Sequence, residues 1–379
     1  MKNLVAARAI ALFTLLSTTV FSQDAISLYN DGVTLKNAGK TAEALDKFKA
    51  AVSLKPDYTD ALYECGWCQN DLKNYQDAIE NLRKARTVWT WVPKVFFELG
   101  YAFAKTNQPD SALPAFNKCI ELKPDYSLAY KELGNLAYSK DDYITGLQHY
   151  SKYESLTKIE IKDYLYWYRK GYMLNATKDY TNSPIALKQS LSYKTDYINT
   201  YFELGYAYSK LKQADDAIDY FKKAIDVDPK NYISYNGVAE VYRDVKKDMT
   251  EAMNWYQKTL GISSTERKAN FGMGYCLNST GKYEDAIGYL KKAIASEPTY
   301  TAAFQELGYS HYMTGKYTEG IDYCNKAIEL NPKNENARYY KGLIYVIQKN
   351  KDMAQKVVDE LNSLSSKLAA TLKVKVDAL

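Results

Sequence analysis

Cys65-Gly66-Trp67-Cys68 sets two thiols three residues apart, the spacing of a dithiol–disulfide redox pair. Such chemistry needs the attacking sulfur at a helix N-terminus, where the helix dipole lowers its pKa. Gly66 falls instead in the middle of a helix in the pattern described below. The pair is therefore expected to pack as small apolar residues. The five cysteines (Cys65, Cys68, Cys119, Cys276 and Cys324) are odd in number in a chain of 379 residues, which is not a disulfide framework. The two histidines, His149 and His311, lie in distant segments and support neither a zinc site nor a histidine-based triad. No Gly-rich phosphate loop and no serine elbow occurs. No catalytic residue, metal or cofactor is expected, and the chain reads as a non-enzyme.

The elements that position these residues are repeats. A small residue returns as Gly32, Gly66, Gly100, Gly134, Gly171, Gly205, Ala239, Gly274, Gly308 and Gly342, at steps of 34 residues apart from one of 37 and one of 35. Twelve residues after most of these landmarks comes another small residue, as at Ala44, Ala78, Ala112 and Ala217; Ala252 is one residue late. Four further on lies a bulkier one, as at Phe48, Leu82, Phe116, Phe221 and Leu290. Proline closes many units, as at Pro56, Pro124, Pro229, Pro298 and Pro332. Each unit is expected to be two helices: small residues allow close approach, bulky ones fill the gap, and proline ends the second helix. Ser183-Pro184 is expected to start a second helix, with serine as its cap.

Tyr201-Phe202-Glu203-Leu204-Gly205-Tyr206-Ala207-Tyr208 with Ala217, Phe221, Ala224 and Pro229 resembles the tetratricopeptide repeat family, as does Leu307-Gly308 with Ala327 and Pro332. The resemblance extends from Ala25 to about Leu368. It implies an all-α, right-handed α-solenoid superhelix of about ten helix-turn-helix units over residues 23–368. Leu361, Leu364, Leu368 and Leu372 then read as one longer last helix that caps the stack, and residues 369–379 as its fraying end.

The resemblance also implies that the first helix of each unit lines a concave face. The positions three before and one after the landmark point into it, four residues apart on one helix face. The first row holds Tyr29, Tyr63, Phe97, Tyr168, Phe202, Phe271 and Tyr339; the second holds Trp67, Tyr101, Tyr172, Tyr206, Tyr275 and Tyr309. Together they read as a partner-binding aromatic ladder, and equally as rings that stack between units. Polar steps interrupt it at Lys131 with Asn135 and at Asn236 with Glu240. Some family members hold a peptide's terminal carboxylate with lysine and asparagine at the positions of Lys131 and Asn135. Here Glu203 stands where that clamp needs a cation, so a carboxylate clamp is not expected. Units three, six and nine share Glu-Leu-Gly-Tyr around Gly100, Gly205 and Gly308, which suggests a higher-order block of three units.

Lys2, Arg8 and the apolar-rich stretch 9–21 read as an export signal, cleaved near Ser22-Gln23, with an uncleaved anchor as the alternative. Its loss lowers the formal net charge from +5 to +3, and no basic stripe suited to nucleic acid remains. The expectation is a periplasmic or secreted scaffold without stable membrane insertion, binding a protein or peptide partner in an aromatic groove. A glycan binder, or an assembly subunit using its convex face or ends, is the alternative. Self-association through the C-terminal helix is a further possibility.

Overall fold

The computed structural model describes residues 23–379, and the export-signal segment 1–22 lies outside the described residues. Two compact units divide the chain, one ending at Lys162 and the other spanning Asp163–Leu379. Both are all-helical among the described residues, and each is an α-solenoid of consecutive helix pairs. The first unit holds repeats one to four, from the helical residues 23–37 with Thr41–Leu54 to Ser127–Ser139 with Tyr143–Leu156. The second holds repeats five to ten, from Tyr164–Ala176 with Ser183–Tyr193 to Glu335–Ile347 with Lys351–Ser363. The longer step of 37 residues falls on the 157–163 link between repeats four and five.

The landmark glycines do what their spacing implies. A methyl group placed on Gly100 would lie 2.9 Å from the Phe116 ring, and one on Gly205 2.8 Å from the Phe221 ring. The same geometry sets Gly66 against Leu82 and Gly274 against Leu290. Phe116, Leu82 and Leu290 are fully buried. At these four crossings only hydrogen fits.

The turns between paired helices share a second device. A left-handed residue stands seven positions after the landmark: Gly39, Lys73, Asn107, Asp141, Lys178, Lys212, Gly281, Gly315 and Lys349. In repeat seven it is Lys247, eight after Ala239. The first helix of that repeat, Tyr232–Val241, runs into a π-helical turn at Tyr242–Lys246 that absorbs the extra residue. This is why Ala252 comes one position late and why one step is 35 residues.

Two sequence expectations are corrected. Ser183 does not cap its helix; Asn182 is the boundary residue, and the Ser183 hydroxyl donates to the Gly171 carbonyl at 2.9 Å. The C-terminal leucines do not form one long helix. The chain turns at Ser365, with φ of 55°, and starts a separate capping helix at Leu368–Asp377. Leu372 lies against Gly342, and Leu361, Leu372 and Val376 are fully buried. After Leu372 the helix continues to Asp377 with Val376 buried. Leu361 and Leu372 are buried against repeat ten.

Candidate functional site

The two aromatic rows have different fates. In the first row Tyr63, Phe97 and Tyr168 are less than a tenth exposed. Phe97 lies 5.9 Å from the Phe116 ring and 5.1 Å from Tyr126. Tyr168 meets Tyr197 edge-on at 5.0 Å, and Phe271 meets Tyr300 at 5.0 Å. Phe202 packs on Phe221 at 5.4 Å. Each ring is wedged beside its own second helix or against the residue that opens the next repeat. Tyr63, Phe97 and Tyr168 are largely covered by this packing, while Phe202 and Phe271 stay half-buried.

The second row is half-buried throughout: Trp67, Tyr101, Tyr172, Tyr206, Tyr275 and Tyr309. Its neighbours fix ring orientation. Tyr101 stands edge-on to Tyr75 at 6.2 Å, Tyr206 to Tyr180 at 6.0 Å, and Tyr309 to Tyr283 at 5.8 Å. Ammonium groups lie over several faces: Lys36 at 4.8 Å from Trp67, Lys105 at 4.9 Å from Tyr101 and Lys210 at 5.0 Å from Tyr206. Burial pushes the phenols of Tyr101, Tyr206 and Tyr309 up to about 12, so each stays a neutral hydroxyl at physiological pH.

The polar steps are built into the protein. Asn135 donates to Glu132 at 3.1 Å and accepts from the Tyr150 hydroxyl at 2.6 Å. Asn236 donates to Glu240 at 3.0 Å and lines a cavity of about 310 Å³ with Phe202, Tyr206, Glu240 and Lys268. That cavity borders the π-turn. There Arg243, missed by sequence reasoning, grips Asp244 through two bonds of 2.7 Å and lies 5.8 Å from the Tyr256 and Tyr275 rings.

A second set was also missed. Asn70, Asn175 and Asn278 each reach 28 residues along the chain to a glutamate of the next repeat. The Nδ2 donates to the backbone carbonyl of Glu98, Glu203 or Glu306 at 3.0, 3.0 and 3.2 Å. It also donates to the carboxylate of the same residue at 2.8, 2.7 and 2.9 Å. The glutamates belong to repeats three, six and nine, the units whose sequences are most alike. The signal was present in those shared strings, but the asparagine lies one repeat earlier.

The thiols of Cys65 and Cys68 are buried and free, and burial pushes both up to about 12. Neither is poised for redox attack. His311 is buried with its Nδ1 2.9 Å from the Leu307 carbonyl, and burial lowers its pKa, as it does that of His149.

Residues 29–88, 93–126, 198–231, 268–300, 302–334 and 323–356 match family models described as tetratricopeptide repeat. The chain belongs to the tetratricopeptide repeat family. These models describe a repeat and not a catalytic domain. The chain is 26% identical over 183 residues to Tetratricopeptide repeat protein 13 of Homo sapiens, covering 46% of this chain and 20% of that protein. It is 24% identical over 189 residues to Anaphase-promoting complex subunit 3 of Schizosaccharomyces pombe, covering 50% and 28%. The chain thus spans less than a third of either relative's length. Among solved structures, the type IV pilus biogenesis factor PilW aligns with a TM-score of 0.50 at 20% identity, covering 55% of this chain and 97% of that one. The APC/C Cut9–Hcn1 hetero-tetramer aligns at 0.50 and 12%, covering 97% and 95%. These likenesses carry the tetratricopeptide fold and no more.

Proposed function

We propose that this tetratricopeptide protein is a non-enzymatic scaffold that holds an extended segment of a partner protein along its first helices. The observation that carries this reading is the second aromatic row. Six half-exposed rings recur at the same helical position, with neighbours that hold several of them in place. Rings already held lose little entropy on binding, and their protonated hydroxyls add hydrogen bonds that discriminate among partners. The polar steps at Lys131 with Asn135 and at Asn236 with Glu240 interrupt the apolar contact and would set the register of the bound segment. One relative is by name a subunit of a larger complex, in keeping with a scaffold.

The work site is the periplasm or the exterior of the cell, on the strength of Lys2, Arg8 and the apolar stretch 9–21. Among the described residues no helix is long and apolar enough to cross a membrane. The test is a paired capture from an exported-protein extract of the source cell. One bait is the wild-type chain; the other carries Tyr101→Ala, Tyr172→Ala and Tyr206→Ala. A partner held by the first and lost by the second, with helical content unchanged, supports the reading. Equal capture by both overturns it.

A further inference from the structure

The Asn–Glu pairs do more than tie helices together. Each glutamate stands three residues before a ring of the second aromatic row. In the first repetition Glu98 and Asn70 line a cavity of about 240 Å³ with Trp67, Tyr75, Phe97 and Tyr101. In the second repetition Glu203, bonded to Asn175, stands three residues before Tyr206, which meets Tyr180; in the third Glu306, bonded to Asn278, stands three residues before Tyr309, which meets Tyr283. The charge of each glutamate reaches the phenol of its neighbour: Glu98 that of Tyr101, Glu203 that of Tyr206, Glu306 that of Tyr309. At Glu98 carboxylate and ring border the same cavity.

A structural tie alone does not call for an acid. Glutamine would accept the same bond from asparagine through its amide oxygen, without the cost of burying a charge. Yet the acid stands in all three repetitions, with Glu203 and Glu306 less than a tenth exposed. Among the described residues no lysine or arginine comes within ion-pair distance of Glu98, Glu203 or Glu306. The Oε1 of Glu98 and of Glu203 has no protein donor, and neither atom is sealed from solvent. Glu306 differs in receiving a bond from Gln305 at 3.3 Å. The cations in the neighbourhood are engaged elsewhere or stand at the rim: Lys36 pairs with Glu64, and Lys73 lines the first cavity beside Asp71.

An acid at the base of aromatic walls is complementary to one ligand chemistry, a cationic side chain whose charge meets the carboxylate while its stem or guanidinium plane lies on the rings. Lys105 on Tyr101 and Lys210 on Tyr206 already show that these ring faces take a cation. An anion would be repelled, and an apolar group would leave the acid desolvated and unpaired. The geometry points to a receptacle built on Glu98, with like placements at Glu203 and Glu306 in the second unit, for lysine or arginine side chains of a protein segment bound along the first helices. This rests on the scaffold reading above and names the chemistry of its partner. Burial pushes the Glu98 carboxyl up to about 7, and a cation beside it draws it back to the ionised form.

The test is selection from a random-sequence peptide display library on three versions of the full chain. These are wild type, the triple variant Glu98→Gln, Glu203→Gln, Glu306→Gln, and the triple variant Tyr101→Ala, Tyr172→Ala, Tyr206→Ala. The glutamine changes keep the bond from asparagine, and near-ultraviolet circular dichroism verifies packing. Wild type should enrich peptides rich in lysine and arginine, and these should bind the glutamine variant at least tenfold more weakly. Peptides without basic enrichment, bound equally by the glutamine variant and lost by the tyrosine variant, would overturn the cation receptacles and leave the scaffold reading standing. No selected peptides on wild type would overturn both. A glutamine variant that loses its packing signal is replaced by the three single variants, scored by the same tenfold criterion.

Discussion

Gly205 and Gly288 are both helical glycines, and replacing each with alanine should move stability in opposite directions. At Gly288, in the helix Tyr283–Ser296, a new methyl meets nothing within 4 Å. The only effect is relief of the glycine's conformational entropy, a gain of roughly 0.5–1 kcal/mol. At Gly205 the methyl comes 2.8 Å from three ring carbons of Phe221. That ring cannot retreat. It is 3% exposed, Gly237 presses on it from the following repeat at 2.7 Å by the same measure, and Phe202 is 5.4 Å away. Overpacking of this kind costs roughly 1–3 kcal/mol. After the helix gain is offset, a net loss of about 0.5–2 kcal/mol remains. Urea unfolding of the two variants, followed by far-ultraviolet circular dichroism, should place their midpoints on either side of wild type. With a slope near 3 kcal/mol/M the separation is about 0.3–1 M. Midpoints shifted the same way, or by the same amount, would refute the claim that the landmark glycines exist for helix approach.

Four further outcomes follow from particular contacts. Asn175→Ala removes both bonds to Glu203 and leaves a buried carboxylate unpaired, a loss of roughly 1–3 kcal/mol readable by thermal unfolding; an unchanged midpoint would mean the pair carries no stability. Glu98 holds its proton to about pH 7 when folded against an ordinary value of 4.5, so the folded state binds the extra proton between these values. Stability should therefore fall as pH rises from 4.5 to 7, and Glu98→Gln should flatten that part of the profile; parallel profiles in urea titrations would contradict it. All five cysteines are buried, and desolvation pushes each thiol up to about 11 or 12. A thiol reagent at pH 8 should label them only as the chain unfolds, and rapid labelling of Cys65 or Cys68 in the native protein would revive a redox role. Leu372→Ala should cost roughly 2–5 kcal/mol at the C-terminal end and expose repeat ten to limited proteolysis, while protection equal to wild type would mean the last helix is not a cap.

Most of the helix-pair architecture was legible because its cause is local and periodic. A glycine facing a bulky residue 16 positions later is visible in the string itself. The late Ala252 was visible too, but its reason was not. Whether an extra residue enters as a bulge, a longer loop or a π-turn depends on hydrogen bonds that no residue type announces. Ser183 misled because serine before proline is a good cap, whereas the packed Gly171 carbonyl proved the better partner for its hydroxyl. The break before Leu368 was hidden because Ser365 takes a left-handed conformation that serine seldom adopts. The two aromatic rows hold the same residue types, so only the placement of the next repeat could separate the packed one from the half-open one. The Asn–Glu pairs join residues 28 apart and need three-dimensional neighbours to be seen.

The central claim is that a partner protein contacts the half-exposed ring row of the first helices. A photo-crosslinking amino acid placed in the source cell tests it most directly, at Tyr101 or Tyr206 in one set of strains. The comparison set carries it at Lys118 or Asp219, on exposed faces of second helices. The account predicts a discrete protein adduct from the first set and none from the second. Adducts confined to Lys118 and Asp219 would contradict it and assign binding to the opposite face.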